Sequence, residues 1–143
     1  MKKLIQVIMF AVSTNFDIGG VNEDTMPRSN SPEGARVYII SPKDGETVES
    51  EVLVKFGLQG MGVAPAGTDK ENTGHHHLLI DVEKLPDMDK PMGKNVMHFG
   101  GGQTEKLIKL EKGKHTLQLM LGNYLHVPHN PPVVSDKITI HVK

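Results

Sequence analysis

Hydrophobic and polar residues alternate with a period of two along several short segments, and this alternation predicts β-strands. The clearest segment is 51–58, in which Val52, Val54 and Phe56 share one face. No segment of useful length shows the 3.6-residue period of an amphipathic helix. The sequence predicts strands near residues 36–41, 51–58, 75–82, 104–110, 115–122 and 134–142, with a doubtful further strand within 84–97.

The spacing of these segments predicts a single all-β domain over residues 36–143. Many of the connections are longer than a tight hairpin, which favours an immunoglobulin-like antiparallel β-sandwich of about seven strands. A small closed barrel is the alternative. The chain has 143 residues, and this length allows one such domain with an adequate hydrophobic core.

The N-terminal residues 1–13 have the pattern of an export signal. Met1-Lys2-Lys3 is a basic start, and residues 4–12 are almost entirely apolar but too few to span a bilayer as a helix. A buried N-terminal strand or helix is the alternative. Residues 14–35 are polar and lack periodicity, which predicts a flexible linker. We therefore expect a bacterial periplasmic or secreted protein, without stable membrane insertion after signal cleavage.

The composition excludes several classes of site. The chain has no cysteine, which removes disulfides, thiolate nucleophiles and cysteine-based zinc sites. The net charge is -1 and there is no Trp, so neither clustered positive charge nor a stacking platform is present for nucleic acid. Neither a Gly-x-Ser-x-Gly elbow nor a His-Glu-x-x-His motif occurs. An enzyme is thus less expected than a binding domain, although a metal-activated water would still allow hydrolysis.

Six of the eight histidines lie at three places where irregular sequence meets a predicted strand. In the predicted sandwich these places are the B–C, D–E and F–G connections, which all meet at one pole. Imidazole is the commonest protein metal ligand. The sequence therefore predicts a metal site whose ligands are His75, His77, His98, His126 and His129.

Local spacing supports part of this set. Alternate residues of a strand share a face, so His75 and His77 would lie about 6.6 Å apart and could lean onto one ion. His76 would face the opposite side, where a packed histidine bonded to backbone is the simpler interpretation. His115 is expected to be structural and His141 to be solvated, since both fall near the other pole. A hydrogen-bonded loop cluster without metal is the alternative for the whole set.

The donor types favour copper or zinc as the metal. Imidazole suits both ions, and a site with three His and an open position would suit zinc. The chain has 8 Met, and thioether favours copper, so copper is preferred slightly. Three methionines near the proposed pole are Met61, Met92 and Met97. Carboxylates that could orient the ligand rings are Glu71, Asp81 and Glu105.

The functional expectation is an exported metal-binding domain that stores, delivers or senses copper, with a periplasmic protein as a further partner. Binding through neutral imidazoles would weaken as the pH falls below about 6.5. The alternative is a non-catalytic recognition or structural module that contacts a protein or a glycan through the same loops.

Four motifs resemble a family of bacterial exported proteins that is known as domain of unknown function 4399. The motifs span 74–81, 98–105, 115–122 and 126–135, and the resemblance covers about residues 36–142. It implies the fold and the export, but no activity and no ligand residues. Asn123 departs from the family pattern, where Asp is expected after Gly122, so a role for a carboxylate at that position is not implied.

Overall fold

The computed structural model describes residues 26–143, and this part of the chain contains nine β-strands and no helix. Accordingly, the described residues contain no helical segment that could cross a membrane. The strands are β1 (Arg36–Ser41), β2 (Thr47–Val48), β3 (Glu51–Gln59), β4 (Gly62–Val63), β5 (Thr73–Ile80), β6 (Met97–His98), β7 (Glu105–Lys109), β8 (Gly113–Gly122) and β9 (Ile138–Val142). The predicted signal at residues 1–13 lies outside the described residues.

The strands form two sheets that pack face to face, which confirms the predicted all-β sandwich. One sheet has the order β1-β3-β7, and the other has the order β2-β9-β8-β5-β4 with β6 beside β5. The larger sheet contains both antiparallel and parallel pairs, because β2 runs parallel to β9 and β4 runs parallel to β5. Both parallel strands have two residues and are short pieces of connections that run along a sheet edge.

The six clear strands predicted from the sequence correspond to β1, β3, β5, β7, β8 and β9. The doubtful strand within 84–97 is absent as such, since β6 begins only at Met97 and residues 81–96 form turns and bends. Pro86 and Pro91 interrupt this segment, and proline cannot donate to a strand ladder. The last strand starts at Ile138 rather than near residue 134.

The main hydrophobic core lies between the two sheets and is built from the alternating positions. On β3 the inward side chains are Val52, Val54 and Phe56, and the outward Leu53 is 38% exposed. On β8, Leu117 and two further leucines at alternate positions are completely buried in the same core. Burying a side chain of this size contributes about 1.5–3 kcal/mol. The period of two therefore determines which face of each strand meets the other sheet.

A second, smaller hydrophobic cluster covers the outer face of the larger sheet. It contains Leu79 of β5, Met120 of β8, and Met92 and Val96 from the segment between β5 and β6. Leu79 is 1% exposed although it points away from the main core. This covering segment therefore gives β5 two buried faces. Side chains that point outward from the first half of β5 consequently lie in a protected place.

The N-terminal described residues lie against the segment between β8 and β9. The Arg28 guanidinium donates hydrogen bonds to the carbonyl oxygens of Pro128 and His129. Asn30 forms a parallel bridge with Asn130. The sequence interpretation assigned residues 14–35 to a flexible linker, and the described part of that range makes these contacts. These N-terminal residues thus hold the segment around His129 from one side.

His115 is a structural residue, as expected from the sequence. Its Nδ1 donates to the Asp81 carboxylate over 2.7 Å, and its Nε2 donates to the Glu111 carbonyl over 2.8 Å. The Asp81 carboxylate also accepts from the Thr116 backbone N–H. The hydrogen bond to Asp81 is the main cause that raises the pKa of His115. Asp81 is therefore committed to His115 and does not orient a metal ligand.

We predict that Asp81→Asn lowers the free energy of unfolding by about 1 kcal/mol at pH 6, since the pair is partly exposed. The raised pKa of His115 means that the stabilisation is complete below about pH 6.5 and is lost as the pH rises through the folded-state pKa. Urea unfolding of both proteins at pH 6 and pH 9 measures this difference. An equal loss at the two pH values would contradict the charged pair.

Candidate metal centre

His75 and His77 lie in the first half of β5, on the outer face of the larger sheet. Both are completely buried, and their ring centroids are 4.5 Å apart. The strand holds them firmly because β5 pairs with β8 from the His75–Gly122 position to the Ile80–Leu117 position. The sequence predicted that these residues open a strand at 75–82, and the structure places them within β5, which begins two residues earlier at Thr73. The strand backbone therefore fixes the spacing of the two rings.

His98 comes from the short strand β6, which runs antiparallel to β5. His77 and His98 are directly opposite in this ladder, and their ring centroids are 4.7 Å apart. The Nε2 of His98 donates to the Gly93 carbonyl over 2.9 Å. This hydrogen bond assigns the proton to Nε2 and leaves the Nδ1 lone pair free to bind. The sequence predicted that His98 lies in the D–E loop. Its position in the paired strand β6 explains why it lies beside His77.

His126 lies in the loop that follows β8, with a positive φ of 66°. The buried side chain of Asn123 holds this loop, since its Oδ1 accepts from the backbone N–H groups of Leu125 and Val127. The backbone N–H of His126 donates to the Asn123 carbonyl, and the His126 carbonyl accepts from Met92. Asparagine tolerates such turns and bonds its own backbone, which is why it suits this position. The loop thereby directs the His126 ring toward β5.

Four imidazole nitrogens from three segments converge. The Nδ1 of His126 lies 2.9 Å from His75 Nε2, 3.2 Å from His77 Nε2 and 3.1 Å from His98 Nδ1. Potential ligand atoms of His75, His77 and His126 all lie within 4.8 Å of one another. Nitrogen donors on a tetrahedral ion with bonds of 2.0–2.1 Å are about 3.3 Å apart. The three separations from His126 Nδ1 thus have the size that a shared ion requires, and the mutually close set comprises His75, His77 and His126.

Hydrogen bonding alone does not account for this convergence. A ring nitrogen carries either one proton or one lone pair, so His126 Nδ1 satisfies only one of its three close neighbours. Each remaining neighbour then faces His126 Nδ1 either lone pair to lone pair or proton to proton, and both arrangements are repulsive. A cation held by His75, His77 and His126, whose ligand atoms lie mutually within 4.8 Å, would accept their lone pairs instead. This argues against a metal-free hydrogen-bonded cluster, which was the alternative at the level of the sequence.

Burial keeps the rings neutral. Burial is the main cause that lowers the pKa of His75 to about 4 and of His77 to about 2, and the neighbouring histidines lower both further. The pKa of His126 is also lowered, first by burial and then by His98. Neutral imidazole is the form that binds metal. At pH 7 these three rings are therefore neutral and could bind an ion without first losing a proton.

The structure does not bring His129 to this cluster. Its ring is completely buried, and its Nε2 donates to the Thr73 carbonyl over 3.1 Å. The ring packs on Gly74, where an added Cβ would lie 2.8 Å from His129 Cε1. The loop reverses between the two histidines, because Pro128 forms a bridge with Gly122. The rings of His126 and His129 consequently point to different places, although the two residues are close in the sequence.

His76 faces the main core, as the strand alternation predicts. Its ring centroid is 5.1 Å from that of Phe56, and the side chain is completely buried. The expected hydrogen bond to backbone is not found, since neither ring nitrogen has a partner among the described residues. Burial lowers the pKa of His76 to about 4. His76 is therefore a neutral core residue.

Gly122 is a site residue that the sequence interpretation missed. It lies opposite His75 in the ladder, and an added Cβ would be 2.5 Å from His77 Cε1 and 2.9 Å from the Met92 methyl. The missing side chain leaves the space into which the His77 ring fits. A glycine at the end of an alternating strand is a signal for such a close approach.

Of the expected helper residues, Met92 lies beside the cluster, since its methyl group is close to Gly122 and to the His77 ring. Met61 and Met97 are partly buried against the main core, and Met92 is buried in the second cluster. Glu71 and Glu105 are exposed on the surface. The donors that converge are therefore all imidazoles, and the ring of His98 is oriented by a backbone carbonyl.

Comparison with known proteins shows the family. Residues 54–143 match the family described as Domain of unknown function (DUF4399), and the match includes all four converging histidines. No curated protein and no solved structure matches the chain significantly. The matched segment covers more than half of the sequence and contains β4 to β9 and most of β3. The chain therefore belongs to the DUF4399 family.

Proposed function

We propose that the protein binds one transition-metal ion through the imidazoles of His75, His77, His98 and His126. The observation that supports this most strongly is the convergence of three ring nitrogens on His126 Nδ1 at 2.9–3.2 Å. Two of the ligands are fixed by a strand and already neutral at pH 7, so binding requires little reorganisation.

We propose copper or zinc as the ion, with copper bound more tightly. Imidazole donors suit both ions, and Cu²⁺ stands highest in the affinity order of the divalent first-row metals. The methionine side chains pack in the two hydrophobic clusters, so the preference for copper depends on the nitrogen donors and not on thioether.

The setting that we propose is outside the cytoplasm, where the domain would store or deliver the ion and exchange it with a periplasmic protein. The basic and apolar start of the chain supports export. The absence of cysteine leaves imidazole without competition from thiolate for the ion. Export is tested by measuring the mass and the cellular location of the chain after expression in a bacterium. Retention of the full-length chain in the cytoplasm would contradict export.

Calorimetric titration of the protein with Cu²⁺ and with Zn²⁺ tests the metal site. We expect one ion per chain with a Kd below about 10 μM for both metals and a lower Kd for Cu²⁺. The double variant with His75→Ala and His77→Ala should lose this binding. His141→Ala is the matched control, because this exposed histidine lies on β9 away from the cluster. Binding that survives the double variant would contradict the proposal.

A further inference from the structure

The four converging histidines are anchored to very different degrees. His75 and His77 belong to β5, which has eight residues and pairs with the long strand β8 along most of its length. Both side chains are completely buried. Moving either ring away from the cluster would require the central strands of the larger sheet to separate. These two ligands are therefore permanent parts of the site.

His98 is held much more weakly. Its strand β6 has only two residues, and the ladder with β5 consists of two residue pairs. The side chain is exposed, and its Nε2 is bonded to the carbonyl of Gly93, which is an exposed loop residue. The backbone of this segment is anchored by Val96 and Phe99, which are buried. The weakly held part is therefore the exposed ring of His98, whose hydrogen bond ends on a loop carbonyl.

The remaining ligands form a compact triad without His98. Ligand atoms of His75, His77 and His126 lie mutually within 4.8 Å, and His98 is added to this group through its 3.1 Å approach to His126 Nδ1. The backbone of His126 is fixed by Asn123, whose side chain is 1% exposed. Three imidazoles are enough to keep a copper or zinc ion while a fourth position is open.

We propose that His98 is the exchangeable ligand and that an external neutral imidazole, such as a histidine of a partner protein, replaces it on the ion. This inference depends on the proposed metal binding. In the exchange, the bond between the ion and His98 Nδ1 breaks and the lone pair stays on His98. The incoming nitrogen forms the new bond with its own lone pair, so no electron is transferred and the ion keeps its charge. The ion enters and leaves the site at this exposed corner.

The test compares His98→Ala with His77→Ala, each titrated with Cu²⁺. We expect His98→Ala to bind copper still, and added imidazole to form a 1:1 ternary complex that shifts the visible copper band. Removal of copper by a chelator should be at least about tenfold faster for this variant than for the wild type. His77→Ala should bind copper weakly and should not be rescued by imidazole, since its position is buried. His141→Ala serves as the control for the loss of an exposed histidine.

The outcomes separate the two proposals. If the wild-type protein binds no copper, the metal site and the exchange both fail. If the wild type binds copper and His98→Ala binds none, the exchange alone is overturned, because His98 would then be indispensable. The exchange is also overturned if the visible band of His98→Ala does not respond to imidazole, or if His98→Ala loses copper to the chelator no faster than the wild type does.

Discussion

Gly122→Ala is expected to disrupt the centre while leaving every ligand in the chain. The new methyl group would lie 2.5 Å from Cε1 of His77 and 2.9 Å from the methyl of Met92, and both contacts are too close for any ordinary packing. Either the His77 ring must leave its place or β8 must move away from β5. Overpacking of this kind costs about 1–3 kcal/mol of stability. We expect copper affinity to fall by about 100-fold, since a displaced ligand contributes little to binding.

Calorimetric titration with Cu²⁺ and urea unfolding of the metal-free protein measure the two effects. Gly62→Ala is the matched control, because an added Cβ in β4 meets only Thr73 Cγ2 at 3.8 Å. This control should bind copper as the wild type does. A Gly122→Ala variant with unchanged copper affinity would show that the His77 ring is not a ligand in the orientation described.

The metal-free protein is expected to lose stability steeply below pH 6.5. Folding holds the pKa of His75 and His76 at about 4 and that of His77 at about 2, whereas the unfolded chain binds these protons near the ordinary pKa of 6.5. The unfolded state therefore binds more protons as the pH falls, which favours unfolding. Three such groups predict a slope of at most about 4 kcal/mol per pH unit, which is reached near pH 5 and is smaller toward pH 6.5 and pH 4. This is a large part of the total stability of a domain of this size.

Urea unfolding between pH 7.5 and pH 4.5 measures this slope, and His76→Phe tests its origin. Phenylalanine fills a similar space beside Phe56 and removes one of the three protons without changing a ligand. The slope should decrease by about 1.4 kcal/mol per pH unit. An unchanged slope would show that the buried histidines do not cause the acid sensitivity.

Saturating Zn²⁺ should raise the free energy of unfolding at pH 7. This stabilisation should disappear at low pH, because protons compete with the ion for the imidazole nitrogens.

The strands could be predicted from the sequence because their burial is one-sided. In β3 and β8 the alternation of large apolar residues with polar ones indicates directly which side meets the core. The same rule separates His75 and His77 from His76. The chain direction through the sandwich connections then brings His98 and His126 to the same end, so four of the five predicted ligands lie together.

The position of His129 could not be predicted in the same way. His126 and His129 are separated by two residues in a loop with no repeating pattern, and their directions depend on backbone angles such as the positive φ of His126. The hydrogen bond from His98 to the Gly93 carbonyl also depends on the path of an irregular segment. Strand periodicity contains no information about such segments. The outer-face cover by Met92 and Val96 was missed for the same reason.

Anomalous X-ray diffraction from crystals loaded with Cu²⁺ tests the metal centre most directly. We predict a single strong peak within about 2.1 Å of His75 Nε2, His77 Nε2 and His126 Nδ1, with His98 Nδ1 completing the site. A peak at a different place on the chain, or a fully loaded protein whose copper contacts fewer than three of these nitrogens, would contradict a histidine centre on the outer face of β5.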